Sequence, residues 1–304
     1  MWKKWIIIML ITILAVGWGS VYLAKGIVSA LAWWGMQAFS FVGFISVMIS
    51  LCVMVGKLFS RSKIHKTTVT IFILSTAAAW PACWFVGIGQ IAYPVNVNSA
   101  TPKVTIRLPF NETVRVGWGG DRLQTNYHAI EPNQRWAYDF IAPQKGVTNS
   151  QLEDYGIFGV EVIAPASGTV ISVKDSEVDL TPGNDNFQSM VGNHIYIRLD
   201  ETGTYLVLAH LKQESIKVKA GQHIEEGTVI ARVGNSGNSS EPHLHIHHQR
   251  QDPSKTSMFL SEGLPLYFRD IDGPSMPKGG NRIEAGRDVP TGDVISPSKK
   301  IINS

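Results

Sequence analysis

Hydrophobic and polar positions change character once along this chain. In the first third Trp5 to Ala24, Gly26 to Gly56 and Thr67 to Pro102 each run without a single charged residue. Each run can cross a bilayer, whose hydrocarbon core about 30 Å thick needs roughly 20 apolar residues of helix. A cleavable secretory signal would account for the first run but not for the other two, so three transmembrane helices are predicted over residues 1–95. The second run exceeds the length of a span and is expected to tilt or overhang the interface. Trp33, Trp34, Trp80 and Trp84 suit helix packing or a position at headgroup level.

From about Ser99 the pattern becomes short apolar runs separated by turn residues. Val104–Leu108, Val160–Ile163, Thr169–Val173, His194–Leu199 and Tyr205–Ala209 read as strands, because they are short, alternating and rich in branched residues. Ala164–Gly168, Thr181–Asn186 and Asp200–Gly203 supply the turns. Val218–Ile230 holds Gly221 and Gly227, six residues apart, which suits short strands around a small sandwich. An all-β domain is therefore expected over residues 96–269. Pro143 to Gly159 and Lys174 to Gly192 are longer than hairpins require. After Asp270 the chain turns to Pro, Gly, Ser and scattered charge, so residues 270–304 are expected to be an extended or disordered tail without chemistry.

Charge sets the orientation. Lys3 and Lys4 precede the first helix, Lys25 lies between the first two, and Lys57, Arg61, Lys63 and Lys66 lie between the second and third. Short loops rich in Lys and Arg stay in the cytoplasm, which puts the amino terminus inside and everything beyond residue 95 outside after three crossings. A net charge of +3 with no basic stripe or stacking motif excludes nucleic acid as a partner; the basic loop fits topology and anionic lipid instead. Both cysteines, Cys52 and Cys83, fall within predicted helices. The outer domain therefore has no disulfide, cysteine nucleophile or thiolate zinc site, and any metal there needs nitrogen and oxygen ligands.

The densest candidate chemistry is the run Gly234–His247, a glycine-rich turn leading straight into His243, His245 and His247. On a strand these three share a face while Leu244 and Ile246 pack behind. Neutral imidazole is the commonest metal ligand, although alternate histidines also make an ordinary polar strand face.

Five segments in order extend that reading: Asp139 in Tyr138-Asp139-Phe140, Ala164-Pro165 with Gly168 and Val170, Leu208-Ala209-His210-Leu211, the two-glycine segment, and Gly234 to His245. Together, over roughly residues 126–250, they resemble the lysostaphin/LytM-type zinc metalloendopeptidases. The resemblance implies a β-sandwich of the duplicated hybrid motif type, a Zn2+ cofactor and hydrolysis of peptide bonds in bacterial peptidoglycan at the outer face of the cell membrane. It implies zinc ligation by Asp139 and His245, with His210 and His243 as the two catalytic histidines that do not bind metal. The chemistry is sound in itself: three protein ligands leave an open position for water, and imidazoles move protons or stabilise an oxyanion.

One position departs from the family pattern. Four residues before Asp139, where the family has its first zinc-binding histidine, stands Arg135, which stays protonated and cannot bind a cation. The nearest upstream histidine is His128; if residues 129–133 form a loop, flanking strands would present His128 and Asp139 to one ion. The other readings are that His128 caps a loop and the site is broken, or that His247 substitutes as ligand. Function then divides between a membrane-anchored zinc endopeptidase and an inert relative that binds peptidoglycan or activates a partner hydrolase. His194, His223 and His248 are assigned to solvated positions, and Asn193 and Asn235 to turns.

Overall fold

The structure is a computed structural model describing residues 2–143, 151–284 and 287–298. It divides into two compact units, Met1–Pro94 and Val95–Ser304. Residues 144–150 of the long segment Pro143 to Gly159, and the last six of the expected tail, lie outside the described residues.

The first unit contains α1 (Trp2–Leu23), α2 (Ile27–Phe59) and α3 (Lys66–Ala79), the last continuing as a 3-10 helix over Trp80–Val86. The change of helix type begins beside Pro81, which has no N–H to donate. Three segments, Trp2–Leu23, Ile27–Phe59 and Lys66–Val86, are long and apolar enough to cross a membrane. The 33 residues of α2 rise about 50 Å as a helix, well beyond a hydrocarbon core. Small residues allow close crossing, since a Cβ added at Gly43 would meet the Ala79 nitrogen at 2.7 Å. A buried seam joins Trp33 to Trp84 with ring centroids 5.1 Å apart, while the Tyr93 hydroxyl donates to Ser29 Oγ at 2.6 Å.

The second unit is β-rich. Its strands are β1 (Val104–Arg107), β2 (Val114–Trp118), β3 (Tyr138–Ile141), β4 (Glu161–Ile163), β5 (Gly168–Lys174), β6 (Asn193–Leu199), β7 (Tyr205–Leu211) and β8 (His223–Ile224). They continue with β9 (Val229–Arg232), β10 (Leu244–Gln249), β11 (Gly263–Leu264), β12 (Leu266–Arg269), β13 (Ile271–Asp272), β14 (Asn281–Glu284), β15 (Arg287–Pro290) and β16 (Val294–Pro297). One ten-stranded sheet runs β13-β16-β2-β3-β10-β7-β6-β5-β8, with β11 also paired to β10; β1 with β12, β4 with β9 and β14 with β15 form three further pairs. All five expected strands form, with ends shifted by a few residues.

Period-2 alternation gives the large sheet two different faces. Tyr138 and Phe140 of β3, Ile195 and Ile197 of β6, Leu206 and Leu208 of β7, and Leu244 and Ile246 of β10 enter one core with Val104, Ile106 and Phe268 of β1 and β12. The opposite face carries Asp139, His245 and His247, over a smaller apolar patch of Tyr196, Val207 and Ala209.

Residues after 269, expected to be extended or disordered, carry four short strands. β16 pairs antiparallel with β2, setting Val294 opposite Arg115, and Ile295 enters the main core. Sheet pairing satisfies this backbone, which the sparse apolar content of the segment does not announce.

Candidate metal centre

The central strands position the site through register. His245 of β10 lies opposite Asp139 of β3 on one side and Ala209 of β7 on the other. With both edges paired, its backbone has little freedom. Asp139 also faces Trp118 across a bulge in β2 at Gly117.

His128 reaches the same point differently. It is carried not by a flanking strand, as expected, but by a 3-10 turn, Tyr127–Ile130. The side chain of Asn126 is wholly buried: its Oδ1 accepts from His128 N at 3.2 Å, and its Nδ2 donates to Gly120 O at 3.0 Å and Ala137 O at 3.2 Å. The cap thus fastens the turn to the residue that leads into β3.

Three side chains converge here. His128 Nε2 is 2.8 Å from Asp139 Oδ2 and His245 Nδ1 is 2.9 Å from Asp139 Oδ1. All three residues are buried, and their ligand atoms lie within 4.8 Å of one another. Burial alone would raise the Asp139 carboxyl, but the neighbouring imidazoles of His128, His243 and His245 hold it well below the usual range. Burial lowers His245 despite its bond to Asp139.

The hydrogen bonds behind His245 fix its protons. Gln249 Nε2 donates to the Gln251 carbonyl at 2.7 Å, so Gln249 Oε1 is the atom facing His247 Nε2 at 3.0 Å. His247 Nε2 must therefore carry a hydrogen. Burial, then the charge of His245, holds His247 well below its ordinary value and keeps it neutral, so its Nδ1 accepts from His245 Nε2 at 2.9 Å. Neutral His245 then has a lone pair on Nδ1, pointed at an ionised carboxylate oxygen. Two acceptors at that separation require a cation or a proton between them, and the mixed nitrogen and oxygen donor set, with His128 alongside, fits zinc. His247 lies one step behind the cluster and is not one of its three members.

His210 and His243 flank the cluster. Their rings are 4.7 Å apart, and His243 Nε2 is 3.7 Å from Asp139 Oδ1. His210 Nδ1 donates to the Ser236 carbonyl at 2.8 Å and His243 Nδ1 to the Glu241 carbonyl at 2.8 Å. Each therefore keeps Nε2 available as an acceptor. Burial, then the neighbouring His243 and His245, pushes His210 well below its ordinary value. Strict alternation would send His210 into the core with Leu208. Instead β7 carries one extra residue against β6 between Leu208 and Leu211, and His210 adopts φ +59°, which turns its ring to the open face. The glycine turn supports this arrangement: a Cβ at Gly237 would sit 2.4 Å from Gly192 N, and Ser236 Oγ donates to Leu211 O at 2.7 Å.

Two depressions share the cluster. One, of about 400 Å3, runs over Tyr196, Val207 and Ala209 to Met258 and Phe259; the other, of about 310 Å3, is lined by Trp118, Ser239, Glu241 and His243. His210 and Tyr127 border both. Arg135 borders neither. Its buried guanidinium lies 3.0 Å from Asp121 and over the Trp136 ring at 5.0 Å.

Sequence reasoning missed several groups. Tyr127 lies against His128 with ring centroids 4.0 Å apart, and its hydroxyl is raised by burial, then by Asp139 and Glu131. Glu131, also raised by burial and partly relieved by His128, lines the larger cleft. His248 is buried rather than solvated, sharing the core side of β10 with Leu244 and Ile246 and facing Thr204 Oγ1 at 2.6 Å; the alternation that exposes His247 to the cleft places it there. His194, half-buried, stacks on Tyr196 at 4.2 Å and lines neither depression. His223 is exposed beside Asp200. Buried Asn193 tethers the segment after Lys174, with Nδ2 donating to Glu177 O at 2.7 Å, and Asn235 Nδ2 donates to Leu180 O at 2.5 Å.

Comparison with known proteins adds a match over part of the chain. Residues 154–256 match the family model described as Peptidase family M23, a span that contains His210, His243 and His245 but neither His128 nor Asp139. Among solved structures, the chain is similar to a putative peptidase M23 from Pseudomonas aeruginosa, with 25% identity over 41% of this chain and 42% of that one and a TM-score of 0.25. It is similar to the antimicrobial peptidase lysostaphin from Staphylococcus simulans, with 19% identity over 54% and 52% of the two chains and a TM-score of 0.33. A zinc-containing peptidase from Vibrio cholerae gives 20% identity over 48% and 37%, with a TM-score of 0.32. The chain thus spans about half or less of the length of each of these three.

Proposed function

We propose, from the match of residues 154–256 to the model of Peptidase family M23, that this chain is a membrane-anchored zinc endopeptidase of that family hydrolysing peptide bonds of bacterial peptidoglycan. In this reading residues 1–95 anchor it, with the amino terminus in the cytoplasm, and the β-rich unit that follows, including the strands after residue 269, forms an extracytoplasmic peptidase domain of the duplicated hybrid motif type. The observation that carries the reading is the convergence of buried His128, Asp139 and His245, with His245 Nδ1 2.9 Å from Asp139 Oδ1 and all three ligand atoms within 4.8 Å of one another.

His128 Nε2, Asp139 and His245 Nδ1 would hold the metal. Bound zinc supplies a Lewis acid that polarises a carbonyl and makes water a better nucleophile near neutral pH. His210, kept neutral and with Nε2 available, accepts a proton from the attacking water. His243, whose Nε2 lies 3.7 Å from Asp139 Oδ1, would take that proton over at Nε2, stabilise the developing oxyanion while so charged, and release the proton to the leaving amine. His247 and Gln249 hold the His245 ring and its tautomer. The inert-relative alternative drew its support from Arg135, and the position of His128 within the cluster favours the enzyme reading over it.

The test uses the full chain purified in detergent. About one zinc per chain and release of new amino groups from cell-wall material are expected, both lost in Asp139→Ala and His245→Ala. Cleavage persisting in both variants after metal stripping would sink the mechanism. For topology, a reporter fused after Ser304 should be active only outside the cell; activity in the cytoplasm would overturn the orientation.

A further inference from the structure

The larger depression beside the metal cluster has two unlike margins. Its floor is the open face of β6 and β7, where Tyr196, Val207 and Ala209 are buried and pack together. Met258 and Phe259, on the 3-10 turn Met258–Leu260, extend the apolar surface outward, with Phe259 54% exposed. Glu131, one residue past the turn that carries His128, lines the same depression.

The charge of this cleft is one-sided. Among the described residues lining it there is no Lys or Arg, and Glu131 is the single carboxylate. The Glu131 backbone is engaged, its N–H donating to His128 O at 2.8 Å and its carbonyl accepting from Gln134 N at 3.2 Å. Its carboxylate has no hydrogen bond or ion pair among the described residues. A cleft of about 400 Å3 is within the range that holds a ligand group, and such sites combine apolar walls with a few placed polar atoms. Glycine would leave that floor in contact with water, and an acidic side chain would meet Glu131 as a like charge.

We propose that this cleft is the subsite for a substrate residue whose long aliphatic side chain ends in an amine, its methylenes on Tyr196, Val207 and Met258 and its ammonium against Glu131. The assignment rests on the peptidase reading above and narrows its substrate class to peptides with such a residue next to the scissile bond. It sets glycine–glycine bonds among poor substrates. Glu131 is here a specificity residue that touches substrate, separate from the proton transfers of His210 and His243.

The experiment uses the full chain in detergent, loaded with zinc, and short alanine peptides carrying Lys, norleucine or Gly at one position. Cleavage is followed by amine release and binding by calorimetry. Lys is expected over norleucine by about tenfold in kcat/KM, and norleucine over Gly by about tenfold or more, since several methylenes and one charge pair separate them. In Glu131→Gln the ratio of Lys to norleucine should fall towards one, and Glu131→Lys should reverse the preference towards a Glu-containing peptide. Cleavage that treats Gly as well as Lys, or a Lys-to-norleucine ratio unchanged in Glu131→Gln, would overturn the subsite and leave the peptidase reading standing. A uniform loss of rate in Glu131→Gln with the ratio preserved would do the same, placing Glu131 in the chemistry. If no peptide is cut yet the Lys peptide binds about tenfold tighter than norleucine, and only with Glu131 present, the subsite holds and the peptidase reading falls. Neither cleavage nor selective binding removes both.

Discussion

Two scaffolds deliver candidate ligands to one point. His245 sits in the middle of β10, paired on both sides by β3 and β7, with its ring held from behind by His247 and Gln249. His128 rides on a four-residue 3-10 turn whose placement depends on the buried side chain of Asn126. A sheet distributes positional information over many weak backbone bonds; the turn concentrates it in one amide. Both give buried ligands at similar distance from Asp139, so precision does not distinguish them. Their tolerance to damage should.

The largest effect comes from the ligands themselves. Asp139→Ala, His245→Ala and His128→Ala should each remove stoichiometric zinc and reduce cell-wall cleavage by about a thousandfold or more, measured by metal content and amine release. Equal loss from the turn and the strand would establish that the two scaffolds contribute full ligands; an active, zinc-loaded His128→Ala would reduce the site to its strand half.

Damage to the supports separates the two. Asn126→Ala leaves His128 N, Gly120 O and Ala137 O without their partner, which costs about 2–4 kcal/mol of stability and should weaken zinc by about 10–100-fold. His247→Phe removes one hydrogen bond behind His245 while the strand stays paired, so zinc should weaken within that same range of about 10–100-fold and stability should change less. Competition with a chelator and thermal melting of the full chain read both quantities. A greater loss of stability in His247→Phe than in Asn126→Ala would reverse the comparison.

A smaller effect belongs to the core side of β10. Burial pushes His248 down to about 4, with the Pro265 carbonyl opposing. Its folded value lies below its unfolded one, so the neutral ring stabilises the fold above about pH 6.5, and that contribution is lost as pH falls towards 4. The loss amounts to about 3 kcal/mol. Melting temperature should fall less steeply over that window in His248→Gln than in the unaltered chain; parallel curves would refute it. The smallest effect is at Arg135: adding Arg135→His to His128→Ala should restore neither zinc nor cleavage, because Arg135 borders neither depression.

The same contrast explains what could be read from residues alone. Alternation made the β10 histidines and their core partners legible, and the ordered motifs pointed to Asp139 and His210 as companions. The turn was opaque because Asn126 acts through bonds to Gly120 and Ala137, contacts with no period. Short polar strands such as Val294–Pro297 were missed for the same reason, since β2 supplies the pairing that defines them. His248 was legible in principle: counting one residue past His247 puts it on the core face. Glu131 and Tyr127 carry no signal in the sequence, because what brings them to the cleft is the turn beside His128.

The left-handed residue in β7 has a meaning for descent. With φ at +59°, position 210 admits Gly and Asn readily, His at some strain, and Val or Ile hardly at all. A library randomised at that codon and sorted for folding alone should return glycine and asparagine, although neither could serve the proton transfer proposed for His210. A lineage that abandoned the proposed hydrolysis would be free to discard the imidazole while its sheet still demanded the kink. Such a descendant would carry a small or amide residue at a bulge that its new task does not need, a scar from which the lost chemistry could still be read.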